Sequence, residues 1–236
     1  MNYAFPVPAV PSVPVAGTDL AFPVHRIYCV GRNYAEHARE MGFDPDREPP
    51  FFFTKPADAI VADGSRIAYA LATQNLHHEI ELVVAIGEGG VNIITSDAAL
   101  AHVYGYAVGI DMTRRDLQLA ARDKGRPWDV GKAFDDSAPI GEIHRASEIG
   151  HPAAGAIRLS VNGQSRQDAD LKQLLWSVPE LIVELSKLFE LRPGDLIYTG
   201  TPAGVGAVKA GDELRGSIEG IGSITIRIGA LGERRS

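Results

Sequence analysis

The sequence predicts a single, mostly β, α+β domain. Runs rich in β-branched and aromatic residues recur along the 236-residue chain: "RIYCV" from Arg26, "PFFFT" from Pro50, "IELVVAI" from Ile80, "YGYAVGI" from Tyr104, "AIRLSVNG" from Ala156, "DLIYTG" from Asp195 and "SITIRI" from Ser223. Well-signalled helices are few. Strands and helices do not alternate regularly, which disfavours a doubly wound nucleotide-binding sheet.

Taken in order, residues 1–24 place Pro6, Pro8, Pro11 and Pro14 at short intervals, which favours an extended arm lying on the body or on a partner subunit. The body spans 25–230. Within it, "TRRDLQLAARDKG" offers Thr113 as a helix cap, Asp116 three residues on and Gly125 as the stop. Asn162-Gly163 favours a tight hairpin turn. In "SVPELIVELSKLFELRPG", Ser177 and Glu180 make a capping box, Leu181, Leu185, Leu188 and Phe189 make an apolar stripe, and Pro193-Gly194 marks the stop.

Composition narrows the function classes. Apolar residues make up 45% and charged residues 22%, as in soluble globular proteins. The net charge of −7, with Lys and Arg scattered, argues against a nucleic-acid surface. No run approaches the ~18 apolar residues of a membrane span. No basic leader precedes Arg26, so the cytoplasm is the expected address. Cys29 is alone, which leaves no disulfide framework; its neighbours read as a strand, and it is expected to be a small buried hydrophobe.

Several catalytic signatures are missing: G-x-S-x-G, a Walker loop, H-E-x-x-H, and G-x-G-x-x-G entering a helix. Acid at strand ends stands in their place. Glu79 and Glu81, two apart at the start of an apolar strand, share one face about 7 Å apart. Asp111 ends another apolar strand. Carboxylates so placed suit hard divalent cations, and a +2 ion would convert their repulsion into shared coordination. A half-exposed strand would also accommodate Glu79 and Glu81 without an ion, and spacing alone does not bring Asp111 to them. His77, on the same face, is either a further ligand or a hydrogen-bonding support alongside His78.

Other candidates are polar groups in apolar settings. Arg115 and Gln118 share one helix side after Asp111; Lys132 lies in "WDVGKAF", and Lys55 ends "FFFTK". His37 and Glu40, three apart, would face each other on a helix and together could deprotonate a water. "YTGTPAGVG" gathers glycines around Thr199 and Thr201, which permits close approach of a ligand or simply a tight turn.

In this order, "VGRNYAEHAREM", "FFFTKP", "LHHEIEL", "GIDMTRRDLQ", "WDVGKAFD", "VNGQSRQ" and "IYTGTPAGVG" resemble the fumarylacetoacetate hydrolase family from about residue 25 to 228. The resemblance implies a rolled mixed β-sheet with few helices, a homodimer, and an Mg2+ or Mn2+ site with Glu79, Glu81 and Asp111 as ligands. It implies that His37 and Glu40 activate a water on a mobile lid. Lys132 would join them in catalysis, while Arg115, Gln118, Thr199, Arg32 and Lys55 would line the substrate site. The arm and "GFDPDREPPFFFTKP" are similar to the acylpyruvate hydrolase branch that acts on fumarylpyruvate in aromatic-acid (gentisate) breakdown.

The expected reaction is hydrolysis of the C3–C4 bond of a 2,4-dioxo acid. Within the same fold, decarboxylation of a 2-oxo acid such as oxaloacetate, or isomerisation of a hydroxymuconate-type acid, is the alternative. A non-catalytic metal- or ligand-binding protein is the alternative of another class.

Overall fold

A computed structural model describes residues 2–42 and 48–232 of the chain. Part of the "GFDPDREPP" stretch, residues 43–47, lies outside the described residues.

The strand Ile80–Ile86 is buried along its whole length. It lies at the centre of a rolled mixed sheet whose strand order is Phe51–Lys55, Arg26–Gly31, Asp195–Tyr198, Ile80–Ile86, Val103–Ile110, Ala138–Ile140 and Ile60–Ala62. Most neighbours are antiparallel. Asp195–Tyr198 runs parallel to Arg26–Gly31, and Ala138–Ile140 runs parallel to Ile60–Ala62. Alternation along the central strand feeds two separate cores. Leu82, Val84 and Ile86 pack into the larger core, shared with residues of a second, five-stranded sheet such as Leu159, Leu214 and Ile226. Val83 and Ala85 face the smaller core with Ile27, Cys29, Leu196 and Tyr198. Both faces are covered, so the segment is continuously apolar in sequence. Cys29 is buried, as its neighbours indicated.

The smaller core also takes Val13, Val15, Phe22 and Val24 from the N-terminal segment. Residues Ser12–Pro14 and Ala21–Pro23 pair as a short two-stranded sheet, so the second half of the proline-rich segment is part of the body. Tyr3, Phe5, Val7 and Val10 remain exposed.

The two signalled helices form with shifted ends. Ser177 and Glu180 cap Val178–Leu188 as expected, with Glu180 Oε2 accepting from both the Ser177 amide and its hydroxyl. The helix ends before Phe189, earlier than Pro193-Gly194 suggested, and its buried face is Val178, Leu181, Ile182 and Leu185. Leu188 and Phe189 are exposed rather than core. The other helix is Arg115–Asp123, and Thr113 is not its cap. Instead Thr113–Arg114 pairs with Leu76–His77, and Asp116 turns away to accept from Thr73 and the Gln74 amide. Long-range pairing here overrides the local capping signal. No helix among the described residues is long and apolar enough to cross a membrane.

A candidate metal and substrate site at one end of the roll

Strand register builds the floor of the site. Ile80 pairs with Ile110 and Glu81 with Gly109. The Asp111 amide then donates to the Glu79 carbonyl at 2.8 Å, one step beyond the strand end. Residues opposite one another in an antiparallel pair share a face, so Glu79, Glu81 and Asp111 converge. Each offers a carboxylate oxygen within 4.8 Å of the others, and all three are buried.

The charges around them are equally buried. Lys132 Nζ has three hydrogens, and each has an acceptor: Glu79 Oε2 at 2.7 Å, Asp111 Oδ2 at 2.6 Å and Thr113 Oγ1 at 2.7 Å. Arg115 pairs with Glu79 Oε1, and Lys55 Nζ lies 2.8 Å from Asp111 Oδ1. Glu81 differs from the other two. Its Oε2 accepts one bond, from the Gly200 amide at 2.8 Å, and no Lys or Arg of the described residues pairs with it.

Titration behaviour follows from these partners. Burial, with Asp111 and Glu79 alongside, pushes the Glu81 carboxyl well above the usual carboxylate range. Burial acts on Glu79 in the same sense, but Lys132 and Arg115 overcome it and hold Glu79 well below that range. For Lys132, burial opposes the charged form, and Asp111 and Glu79 more than offset it.

These features fit a hard divalent ion. The donor set is all oxygen, the three carboxylate oxygens lie within 4.8 Å of one another, and Glu81 lacks a counter-charge among the described residues. Three carboxylates are offset by Lys55, Lys132 and Arg115, so an ion of charge +2 leaves the cluster positive and receptive to an anion. Lys55, expected in the substrate site, serves this cluster instead, and its ammonium also donates to the Met112 carbonyl at 3.1 Å and to the Lys132 carbonyl.

His77 supports this arrangement from behind. Its Nε2 bonds Asn75 Oδ1 at 2.8 Å and its Nδ1 accepts from Arg115 Nε at 3.5 Å. Burial and the Arg115 charge pull its pKa down to about 4, so it is a neutral support for the arginine. Arg115 Nη1 in turn donates to Gln118 Oε1 at 2.7 Å. That contact orients the amide and leaves Gln118 Nε2 without a hydrogen bond to any described residue, on a side chain that lines the cavity.

One wall of the cavity comes from the short helix Ala35–Glu40. His37 lines the same cavity as the three carboxylates, and its Nδ1–H donates to Glu40 Oε2 at 3.1 Å, which leaves Nε2 as the basic nitrogen. Burial would raise the Glu40 pKa, but hydrogen bonds from His37 and the Gly204 amide hold it low. Gly204 has φ +95°, and a Cβ there would lie 2.0 Å from the Arg166 carbonyl oxygen. The glycine loop therefore approaches another strand closely and offers its amides to Glu81 and Glu40.

Not every expected residue reaches the cavity. Arg32, Arg115, Gln118 and Lys132 line it together with His37. Lys55 lies behind Asp111 as a counter-ion. Thr199 is fully buried, and its hydroxyl donates to the Leu82 carbonyl at 2.9 Å; Thr201, two residues on, lines the cavity instead. Sequence reasoning passed over Gln167. Its Oε1 accepts from the Ile80 amide and bonds His78 Nδ1, while its Nε2 donates to Thr201 Oγ1 and the Pro202 carbonyl. The residue looked like part of a polar hairpin, and only its place opposite Ile80 reveals the role. Asn33 was also missed; it ties Trp176 to the Thr199 carbonyl.

A family model described as "Fumarylacetoacetate (FAA) hydrolase C-terminal" matches residues 26–229. The chain belongs to the fumarylacetoacetate hydrolase family. Among its relatives in this family, a fumarylpyruvate hydrolase from Ralstonia sp. is 49% identical over 186 residues, covering 79% of this chain and 96% of the relative. Human mitochondrial oxaloacetate tautomerase is 41% identical over 202 residues, covering 86% of this chain and 90% of the relative. The crystal structure of fumarylpyruvate hydrolase from Pseudomonas aeruginosa, in complex with Mn2+ and pyruvate, superimposes with a TM-score of 0.94 at 57% identity, covering 97% of this chain and 100% of that one. The rolled, mostly β fold expected from the family resemblance is the fold observed.

Proposed function

We propose that this protein is a metal-dependent acylpyruvate hydrolase that cleaves the C3–C4 bond of a 2,4-dioxo acid, with fumarylpyruvate giving fumarate and pyruvate. The observation that carries the reading is that His37, held by Glu40, lines the same cavity as the three carboxylates. Likeness to the Ralstonia and Pseudomonas enzymes supports the choice of substrate.

Glu79, Glu81 and Asp111 hold Mg2+ or Mn2+. That ion, when bound, supplies Lewis acidity toward the 1-carboxylate and 2-oxo oxygen of such an acid. Lys132 and Arg115 keep Glu79 ionised, and the Lys132 ammonium also orients Asp111 through its bond to Oδ2. His37 Nε2 takes a proton from water, which attacks C4. Gln118 Nε2 donates to the oxygen that becomes negative at C4; it suits this better than Lys132, whose hydrogens are all engaged. The C3–C4 bond then breaks, its electron pair passes toward the 2-oxo group, and the proton on His37 returns to C3 to complete pyruvate. Water is consumed, a carboxylic acid and pyruvate leave, and no Ser or Cys nucleophile is needed.

We assign the activity to aromatic-acid (gentisate) breakdown in the cytoplasm, a reading supported by the likeness to fumarylpyruvate hydrolases. The exposed apolar residues of the arm, Tyr3, Phe5, Val7 and Val10, support a homodimer in which the arm packs on the second subunit. A second reading, oxaloacetate tautomerisation, is favoured by the human relative and needs proton transfer at C3 without an attacking water.

Assay of the purified protein with fumarylpyruvate, acetylpyruvate and oxaloacetate, with and without Mg2+ or Mn2+, tests both readings. Metal-dependent consumption of the acylpyruvates is the expected result. Tautomerisation or decarboxylation of oxaloacetate with the acylpyruvates untouched would replace it.

A further inference from the structure

The helix that carries Arg115 and Gln118 continues to Arg122, and positions 115, 118 and 122 fall on one helical face. From Arg115 to Arg122 the helix rises about 10.5 Å. Arg115 pairs with Glu79 at the carboxylate floor, and Arg122, like Arg32, lines the same cavity. Phe53 and Trp128 also line the cavity, their rings 5.8 Å apart; the Lys132 ammonium lies 5.1 Å from the Phe53 ring, and Trp128 meets Phe51, the ring under Arg32, at 5.1 Å.

Arg32 is held there at some cost. It closes the strand Arg26–Gly31 with φ +58°, a left-handed conformation that costs a non-glycine residue about 1–3 kcal/mol. Asn33, fixed by its bonds to Trp176 and Thr199, over-determines the turn. The Arg32 guanidinium lies over the Phe51 ring at 5.3 Å, and that ring rests where a Cβ on Gly31 would be. Burial lowers the Arg32 pKa and the facing Arg122 charge lowers it further, against the pull of Glu48. Arg122 bonds its chain neighbour Asp123 through one oxygen, an exposed contact of the kind that is worth little. Two guanidiniums in the wall of one cavity repel each other, and a carboxylate between them offsets that repulsion.

Other cations fit this role less well. Lys55 serves Asp111, Arg39 pairs with Glu36 on the outside of its helix, and Arg126 does not line the cavity.

We propose that Arg32 and Arg122 bind a second carboxylate at the far end of the acyl group, with Phe53 and Trp128 flanking a flat chain between the two ends. The preferred substrates are then dianions about seven carbons long, whose terminal carboxyl carbons lie roughly 7.5 Å apart when extended. This assignment rests on the acylpyruvate reading for its substrate, but not for its test.

The first measurement is the ratio of kcat/KM for fumarylpyruvate to that for acetylpyruvate. Arg122→Ala and Arg32→Ala should each lower this ratio by about 10- to 100-fold, as expected for loss of a charged hydrogen bond, and Arg122→Lys should recover part of it. A ratio equal to wild type, whether both activities fall together or neither does, overturns the proposal. The second measurement needs no turnover. In calorimetry on the Mg2+-loaded protein, 2-oxoheptanedioate should bind more tightly than 2-oxoheptanoate, and Arg122→Ala should erase the difference. If the two bind wild type equally, the proposal fails even where the protein hydrolyses acylpyruvates. If the preference for the diacid holds but no acylpyruvate is cleaved, the hydrolase reading fails and the carboxylate site stands.

Discussion

The carboxylate floor of the cavity hangs on two long neighbouring strands, whereas the His37–Glu40 wall hangs on a six-residue helix and a glycine loop. On the floor, register fixes the backbone, and each charged group except Glu81 has a buried opposite charge. On the wall, a helix too short to be stable alone presents one imidazole, oriented by one 3.1 Å bond. The floor is thus preorganised by the fold itself, and the wall by a few local contacts. Substitutions in the floor should disturb ion binding and chemistry together, while substitutions in the wall should touch chemistry alone.

The largest effect is expected at Glu81. Glu81→Ala removes the carboxylate that has no other counter-charge, so Mg2+ or Mn2+ binding by calorimetry and hydrolysis should both be lost, as they should on chelation of the wild-type protein. Retained metal affinity would dissolve the contrast between floor and wall. His37→Ala should lower kcat by about 10²–10⁴-fold with metal affinity close to wild type; a parallel loss of metal binding would make His37 part of the floor. Glu40→Gln, which weakens the orientation of the imidazole without removing it, should cost roughly 10- to 100-fold in kcat.

Gln167→Ala leaves the Ile80 amide and the Thr201 hydroxyl short of a partner inside the protein. Its expected cost is about 1–3 kcal/mol of stability, read by denaturant unfolding of the metal-free protein. The smallest effect is a proton count. Burial beside Asp111 and Glu79 raises the Glu81 pKa, so ion and proton compete there: metal affinity should weaken as pH falls, and binding should release protons. Calorimetry in two buffers of different ionisation enthalpy reads the release; equal binding heats would show that Glu81 is already ionised.

Much of the floor was legible from strand patterns and little of its assembly. Glu79 and Glu81 are two apart on a segment whose strand character is plain, so their shared face follows directly. Asp111 joins them only through the pairing of Ile80 with Ile110, a long-range register that one sequence does not display. Thr199 and Thr201 show the limit of reading a strand end, since the chain leaves the strand at Tyr198 and only its path decides which hydroxyl faces the cavity. Thr113 carried a capping signal that pairing with Leu76–His77 overrode. Arg122, by contrast, could have been found: it lies on the helix face that singled out Arg115 and Gln118, four residues beyond Gln118.

The loop after Tyr198 joins floor to wall. Gly200 offers its amide to Glu81 and Gly204 offers its amide to Glu40, within a stretch of backbone too short to stretch or slacken. It works as a gauge block between ion and base. Inserting a single residue between those glycines would leave every side chain present and yet set the attacking water out of step with the bond it must break. Arg122 sits a full turn beyond Gln118 and touches neither ion nor base, so the length and charge of the acyl group can drift at that position while the distance between ion and base stays constant.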